Sequence, residues 1–372
     1  MSGIYIHIPF CKQACIYCNF HFSLKDNFSE IVSCILTEIE LNQKKITKNK
    51  ISSIYFGGGT PSLISINQLK NILNCLIKNH ELSPECEITI EVNPDDATIE
   101  NIKSWKNIGF NRISLGIQTF DDKHLKVINR AHNSKQGISA IKNIKREFKN
   151  FSIDLMFGIP GSTIQKLNKD LKIIKKYEPP HISIYSLDVE KKTKLYEMIK
   201  RNKIELPSDK LISNQFDLIF NEMDRMGYIN YEISSFCKNG FESKHNSKYW
   251  SNEKYLGYGP GAHSYDKKFR YWNVNNNIEY VKKIRDEVSV FEKEELTETQ
   301  KINEYIMTKM RTIEGINFRT LKDNMKYNLV VNKKKEIELM KKINIVKEKN
   351  KNLVLTNEGK KNLDYVIEKL TI

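Results

Sequence analysis

Three cysteines near the start of the chain, Cys11, Cys15 and Cys18, stand at the spacing C-x3-C-x2-C. A loop that short can wrap three thiolates around one compact centre, and soft sulfur ligands select zinc, copper(I) or an iron–sulfur cluster. Structural zinc takes a closed set of four ligands. No fourth cysteine lies nearby, so His7 or His21 would have to complete such a site. A [4Fe–4S] cluster held by three cysteines leaves one iron open to a further ligand. Three unrelated thiols are the plainest alternative.

Those cysteines need a strand to carry them. In Ile4-Tyr-Ile-His-Ile8 the isoleucines take one face and Tyr5 and His7 the other. Pro9 ends the pairing, so the cysteine loop hangs from the strand's carboxyl end. Five more strands follow at Ile51–Gly57, Glu87–Val92, Arg112–Gln118, Phe151–Phe157 and His181–Leu187. Helical periodicity lies between them at Ser29–Lys44, Ile66–Lys78, Ile99–Asn107, Asp122–Lys149 and Ile164–Lys176. Alternating strands and helices predict an α/β fold with a parallel sheet, either open and doubly wound or a partial barrel. Polar residues repeat on one face of several strands: Thr89, Glu91 and Asn93; Arg112, Ser114, Gly116 and Gln118; Asp154. A parallel strand covered on both sides is apolar throughout, so this pattern predicts a hydrated interior that holds a ligand.

Hydrophobic residues make up 40% of the 372, and no apolar run approaches a membrane span. Met1 sits almost against the first strand, which predicts no targeting segment and a cytoplasmic protein. The other cysteines, Cys34, Cys75, Cys86 and Cys237, are scattered and read as small core residues rather than a disulfide framework. The net charge is +15, from 60 Lys and Arg against 45 Asp and Glu. The lysines are spread along the whole chain, and no nucleic-acid module with its aromatic signature appears. Solvated faces are therefore expected rather than a nucleic-acid partner, with peripheral contact to an acidic membrane surface left open.

Tyr55-Phe-Gly-Gly-Gly-Thr-Pro-Ser62 follows the second strand. Its glycines let backbone N–H groups approach a carboxylate or polar head group, but the spacing is neither a phosphate loop nor a dinucleotide fingerprint. With the cysteine spacing, it resembles the cluster loop and glycine strip of the radical SAM superfamily. In that superfamily the open iron of a [4Fe–4S] cluster chelates S-adenosylmethionine. The resemblance narrows along the chain. Tyr5-Ile-His-Ile-Pro-Phe-Cys11, Phe56-Gly-Gly-Gly-Thr-Pro61, Ile90-Glu-Val-Asn-Pro94, Ser114-Leu-Gly-Ile-Gln-Thr-Phe120, Asn129-Arg-Ala-His132 and Ile153-Asp-Leu-Met-Phe-Gly-Ile-Pro160 resemble, in order, the oxygen-independent coproporphyrinogen III oxidase family. The resemblance implies a radical SAM partial (β/α)6 barrel, with Cys11, Cys15 and Cys18 on the cluster. It also implies that Tyr5, Gly58, Glu91, Gln118, Arg130 and Asp154 contact S-adenosylmethionine, and that Gly59 and Thr60 mark the place of a second such molecule.

Two features point to one branch. The oxidase continues its loop as C-x3-C-x2-C-x-C, and here the last position is Phe20. That ending, with His245-Asn-Ser-Lys-Tyr-Trp250, resembles the HemW branch of heme chaperones. An imidazole is a common proximal ligand of heme iron, and Tyr249 and Trp250 suit an apolar porphyrin face. The resemblance thus implies heme held through His245 and passed to an acceptor haemoprotein, one associated with respiration and so with a membrane.

After Leu187 the repeat stops. Tyr228–Ser234 alternates like an edge strand, and Leu256-Gly-Tyr-Gly-Pro-Gly-Ala-His-Ser264 is a glycine-rich turn in which His263 is a second histidine to weigh. Helices near Thr299–Met310, Phe318–Met325 and Lys334–Lys342, with a strand at Leu353–Thr356, predict a small helical or winged-helix-like domain. The expected organisation is a barrel over 1–190, an extension carrying the heme motif over 191–290, and the small domain over 291–372. The function expected is that of a heme chaperone. Oxidative decarboxylation of coproporphyrinogen III is the alternative, and an RNA-modifying radical enzyme is a third reading carried only by charge and the winged helix.

Overall fold

Six segments in which apolar residues alternate with polar ones form parallel strands: β1 (Ser2–Ile8), β2 (Ile51–Gly58), β3 (Leu82–Val92), β4 (Arg112–Gln118), β5 (Phe151–Phe157) and β6 (His181–Ser186). The computed structural model describes residues 2–24, 27–42 and 50–372, and the predicted end of the first helix at Lys44 lies outside them. The strands pair in sequence order through helices α1 (Phe28–Asn42), α2 (Ile66–Asn79), α3 (Ile99–Asn107), α4 (Asp122–Val127), α5 (Ser134–Glu147) and α6 (Ile164–Tyr177). The apolar strand faces, such as Ile4, Ile6 and Ile8 or Ile113, Leu115 and Ile117, are buried. They pack with Ile35 and Ile39 of α1 and Leu69, Ile72 and Leu76 of α2 in one core. Each such side chain contributes roughly 1.5–3 kcal/mol by leaving water. The opposite faces line a polar lumen, which completes the partial (β/α)6 barrel.

The single helix expected over Asp122–Lys149 is two. Asn129 takes φ 59°, a left-handed conformation that stops α4. Asn133 then starts α5 with a capping box, its side chain accepting from the Gln136 amide while Gln136 returns to its own. Helical periodicity carries across such a break. The interruption matters because it places Arg130 between two helices, free to reach into the barrel.

The βα repeat ends after Leu187, but the sheet continues on both edges. Past α7 (Lys194–Lys200) and α8 (Asp209–Arg225) come strands β7 (Ile229–Glu232) and β8 (Ser235–Cys237); β8 adds antiparallel to β6, and β7 pairs antiparallel with β8 at the outer edge. A short helix, α9 (Lys244–Trp250), leads to β9 (Tyr255–Tyr258), which pairs parallel with β1. Then come β10 (His263–Tyr265), β11 (Phe269–Asn273), α10 (Asn277–Arg285) and β12 (Phe291–Glu295). The result is one twelve-stranded sheet in the order β12-β11-β10-β9-β1-β2-β3-β4-β5-β6-β8-β7. The glycine-rich turn between β9 and β10 is shaped by close packing. A Cβ on Gly259 would meet the His7 carbonyl oxygen at 2.4 Å, and one on Gly257 would meet the His263 carbonyl oxygen at 2.2 Å.

A smaller unit with its own core follows. It comprises α11 (Glu298–Met310), β13 (Ile316–Asn317), α12 (Phe318–Asn324), α13 (Leu329–Asn332), α14 (Lys334–Lys342), β14 (Val346–Lys349), β15 (Asn352–Leu355), α15 (Asn357–Lys361) and α16 (Leu363–Leu370). Its three strands run in the order β13-β15-β14, so the winged-helix-like pattern has more strand than the sequence showed. Strand β14 went unseen because only Val346 of its four residues is buried. Asn350 and Lys351, at φ 51° and 64°, form the left-handed pair of the tight hairpin that creates it.

Candidate functional site

The carboxyl ends of the strands converge on the cysteine loop. Ser23 accepts from the Cys11 amide (3.0 Å) and donates to Pro9 (2.7 Å), pulling the loop closed at its base. The loop is braced from the break between α4 and α5: Asn129 donates to the Ala14 carbonyl (2.7 Å) and accepts from Gln13 (2.6 Å). Lys12 holds the other side through Asp95 (2.8 Å) and Asp96. All three cysteines are free thiols that line one cavity of about 410 Å³.

The glycine strip packs against the end of β1. The Gly59 amide donates to Ile8 (2.8 Å) and the Thr60 amide to Phe10 (2.6 Å). A Cβ on Gly59 would lie 2.5 Å from the Phe10 carbonyl oxygen, so glycine is needed there for backbone to meet backbone. These N–H groups are consumed, and the strip is not the anion nest its composition suggested. Thr60 is itself buried and donates through Oγ1 to Cys11 Sγ at 3.5 Å.

Inside the lumen, the residues expected to contact S-adenosylmethionine fall on the walls of the same cavity: Gly58, Glu91, Gln118, Arg130 and Asp154. Arg130 donates through Nη2 to Asn93 Oδ1 and the Gly116 carbonyl, both at 2.7 Å, and through Nη1 to Cys15 Sγ at 3.4 Å. Its Nε is buried without a partner among the described residues. Burial pushes the Cys18 thiol up to about 11 and raises Cys11 as well. Burial also pushes Glu91 up to about 7, although the Tyr55 hydroxyl donates to it at 2.8 Å and favours its charged form. Asp154 is raised by burial too, against bonds from Ser114 (2.9 Å) and Ser152 (3.3 Å). These two buried carboxyls face the same cavity, where a positively charged ligand would favour their ionised forms, as Arg112 already does for Asp154.

These residues fit a cluster with a cationic ligand. Among the described residues no three His, Cys, Asp or Glu side chains converge on a single ion. A cluster presents its thiolates to separate irons, so they need not meet at one point. His7 is no ready zinc ligand: its Nε2–H donates to the His21 carbonyl (2.8 Å) and Nδ1 pairs with the Tyr5 hydroxyl (3.2 Å).

Tyr5 and His245 stand apart from that cavity and line a second one, of about 640 Å³, with His7, His21, Tyr249, Tyr255, His263 and Trp272. Helix α9 closes the amino end of the lumen. Its His245 amide donates to Glu87 (3.2 Å), and the His245 ring stacks on Tyr55 at 5.1 Å. The ring is buried with both nitrogens engaged, Nδ1 with Ser53 Oγ (3.0 Å) and Nε2 with the Tyr249 hydroxyl (2.9 Å). Burial lowers its pKa to about 3. In this geometry His245 has no nitrogen to spare for iron unless Tyr249 turns away. Trp250 lines neither cavity.

Comparison with known proteins decides the family. Residues 5–174 match the radical SAM superfamily. A protein of Bacillus subtilis, "Heme chaperone HemW", is 35% identical over 85% of this chain and 85% of its own. The chain belongs to the HemW family. A Lactococcus lactis relative of the same name is 34% identical over 85% of this chain and 83% of its own. Among solved structures, coproporphyrinogen III oxidase (HemN) from Escherichia coli, a radical SAM enzyme, superposes with a TM-score of 0.86 over 100% of this chain and 90% of that one. At 18% identity this last likeness speaks for the fold alone. Membership of the superfamily implies a [4Fe–4S] cluster and S-adenosylmethionine.

Sequence reasoning missed several groups that build the site. Tyr55 could have been found by extending the same alternation along β2. Gln13 and the Lys12 contacts with Asp95 and Asp96 carry no local signal, because their partners arrive from distant segments.

Proposed function

We propose that this protein is a heme chaperone. Cys11, Cys15 and Cys18 hold a [4Fe–4S] cluster, and S-adenosylmethionine lies along Gly58, Glu91, Gln118, Arg130 and Asp154. Gly59 and Thr60 support that ligand through the fold of the strip. Heme occupies the second cavity beside Tyr5 and His245 and passes from there to an acceptor haemoprotein of respiration. When bound, the cluster supplies an open iron for chelation and a redox centre. The chain's own residues hold the ligand's cationic groups against Glu91 and Asp154.

The observation that carries this reading is a second cavity adjoining the first. It is walled by aromatic rings and imidazoles, and the two share Phe20, Tyr55, Gly58, Glu91, Tyr185 and Asn246. Phe20, at the position where the oxidase has a cysteine, is 71% exposed and stands at the mouth of both. An exposed aromatic ring offers a porphyrin a stacking face and can neither ligate nor carry a proton.

Anaerobic reconstitution followed by heme titration and an assay for protoporphyrinogen tests the proposal. One heme should bind, no coproporphyrinogen III should turn over, and Cys11→Ala, Cys15→Ala or Cys18→Ala should each abolish the cluster spectrum while leaving heme uptake. Turnover well above a cluster-free control assigns the oxidase activity instead.

A further inference from the structure

His263 begins β10, immediately after the glycine-rich turn, and lines the second cavity with its direct cross-strand partner Trp272. Directly paired residues project from the same face of a sheet. The imidazoles around this cavity differ in what they have to offer. Both ring nitrogens of His7 are hydrogen-bonded, as are both of His245. His21 is anchored through Nε2 to Asn277 Oδ1 at 2.7 Å. The His263 ring has no hydrogen-bond partner among the described residues and is solvent-accessible.

The backbone beneath His263 is fixed. Gly257 donates its amide to Ser264 Oγ at 2.8 Å, and the turn lies so close to β1 that Gly259 has no room for a side chain. The imidazole is thus held at the rim of an aromatic cavity by a rigid hairpin, with its lone pair uncommitted. Burial and the nearby Arg270 keep it neutral, the form that ligates a metal.

We propose that His263 would ligate the heme iron, through a ring that no hydrogen bond ties among the described residues, and that His245 serves first as a wall of the pocket. This rests on the heme-carrying reading above. The cavity, about 640 Å³, lies within the range of cofactor pockets, and Tyr249, Tyr255 and Trp272 supply flat apolar surface for the macrocycle. The neutral ring would supply a lone pair to iron, which requires no change in oxidation state and no proton to move.

The test is titration of the full chain with hemin, comparing the parent with His263→Ala and His245→Gln by absorption spectrum. His263→Ala should lose the spectrum of an imidazole-ligated heme and bind at least tenfold more weakly. Added imidazole should restore the parent spectrum in that variant. His245→Gln should keep imidazole ligation. A His263→Ala protein with parent-like affinity and spectrum overturns the proposal. So does a loss that imidazole fails to restore, since that marks a structural role. If the parent itself takes up no heme, the heme-carrying reading fails, an outcome distinct from either.

Discussion

Glu91→Gln should stabilise the apo protein at alkaline pH while weakening its hold on S-adenosylmethionine. The carboxyl lies deep in the barrel with the Tyr55 hydroxyl and the Gly58 amide as partners, and burial lifts its pKa from 4.5 to about 7. A raised folded pKa means that the folded state binds the proton more tightly than the unfolded chain. Below pH 4.5 both states are protonated and the group costs nothing. Between pH 4.5 and 7 the unfolded chain releases its proton first, and stability falls as pH rises. Above 7 the loss is complete. A difference of about 2.5 pH units corresponds to ~3 kcal/mol at 1.36 kcal/mol per unit. Water in the cavities that Glu91 faces screens part of this, leaving roughly 1–3 kcal/mol. Glutamine keeps the shape and does not titrate, so the stability gap between variant and parent should widen by that amount from pH 5 to pH 8. Urea unfolding of both apo proteins at the two values measures it. Binding of a cationic ligand should also pull the carboxyl's pKa down and release a proton near neutral pH, detectable by calorimetry in two buffers. A gap that stays constant with pH refutes the reasoning.

Gly59→Ala changes no ligand, yet its methyl would press on the Phe10 backbone just before Cys11, so cluster content after reconstitution should drop severalfold while circular dichroism stays near the parent's. Arg130→Met removes three contacts from one guanidinium, including those to Asn93 and Cys15. At about 1.5–3 kcal/mol for a charged hydrogen bond, affinity for S-adenosylmethionine should fall at least tenfold in equilibrium dialysis, and unchanged affinity would remove Arg130 from the site.

How far the site could be read from sequence depends on the distance over which each feature is determined. Strand β4 and helix α14 lie at their predicted bounds because alternation and helical periodicity are local. The cysteine loop was legible for the same reason: its spacing is itself the geometry. The lumen was legible from Glu91, Ser114 and Asp154, since a polar residue on one face of a parallel strand needs something polar to face. The engagement of His245 was not. It depends on Ser53, 192 residues away in sequence, and on a tyrosine one turn along α9. A motif gives the residue type, whereas hydrogen-bond occupancy is decided by whatever the fold brings alongside. The glycine strip misled for a related reason, because close backbone packing and ligand binding both demand glycine.

The common wall of the two cavities ties their occupants together. Glu91 faces both, and its charge is set by what lies beside it. A cation in the barrel favours the carboxylate, which places a negative charge against the second cavity, while an empty barrel near neutral pH leaves the carboxyl partly protonated. Tyr55 links the same carboxyl to the stack that carries His245. If the two cavities hold S-adenosylmethionine and heme as proposed, any difference that one makes to the affinity of the other through this wall must be matched by an equal effect in return, because coupling between sites is reciprocal. Phe20 fits that arrangement. A thiol at the mouth would add a redox-active group between the two ligands, whereas an aromatic ring leaves them to act on each other through packing and charge alone.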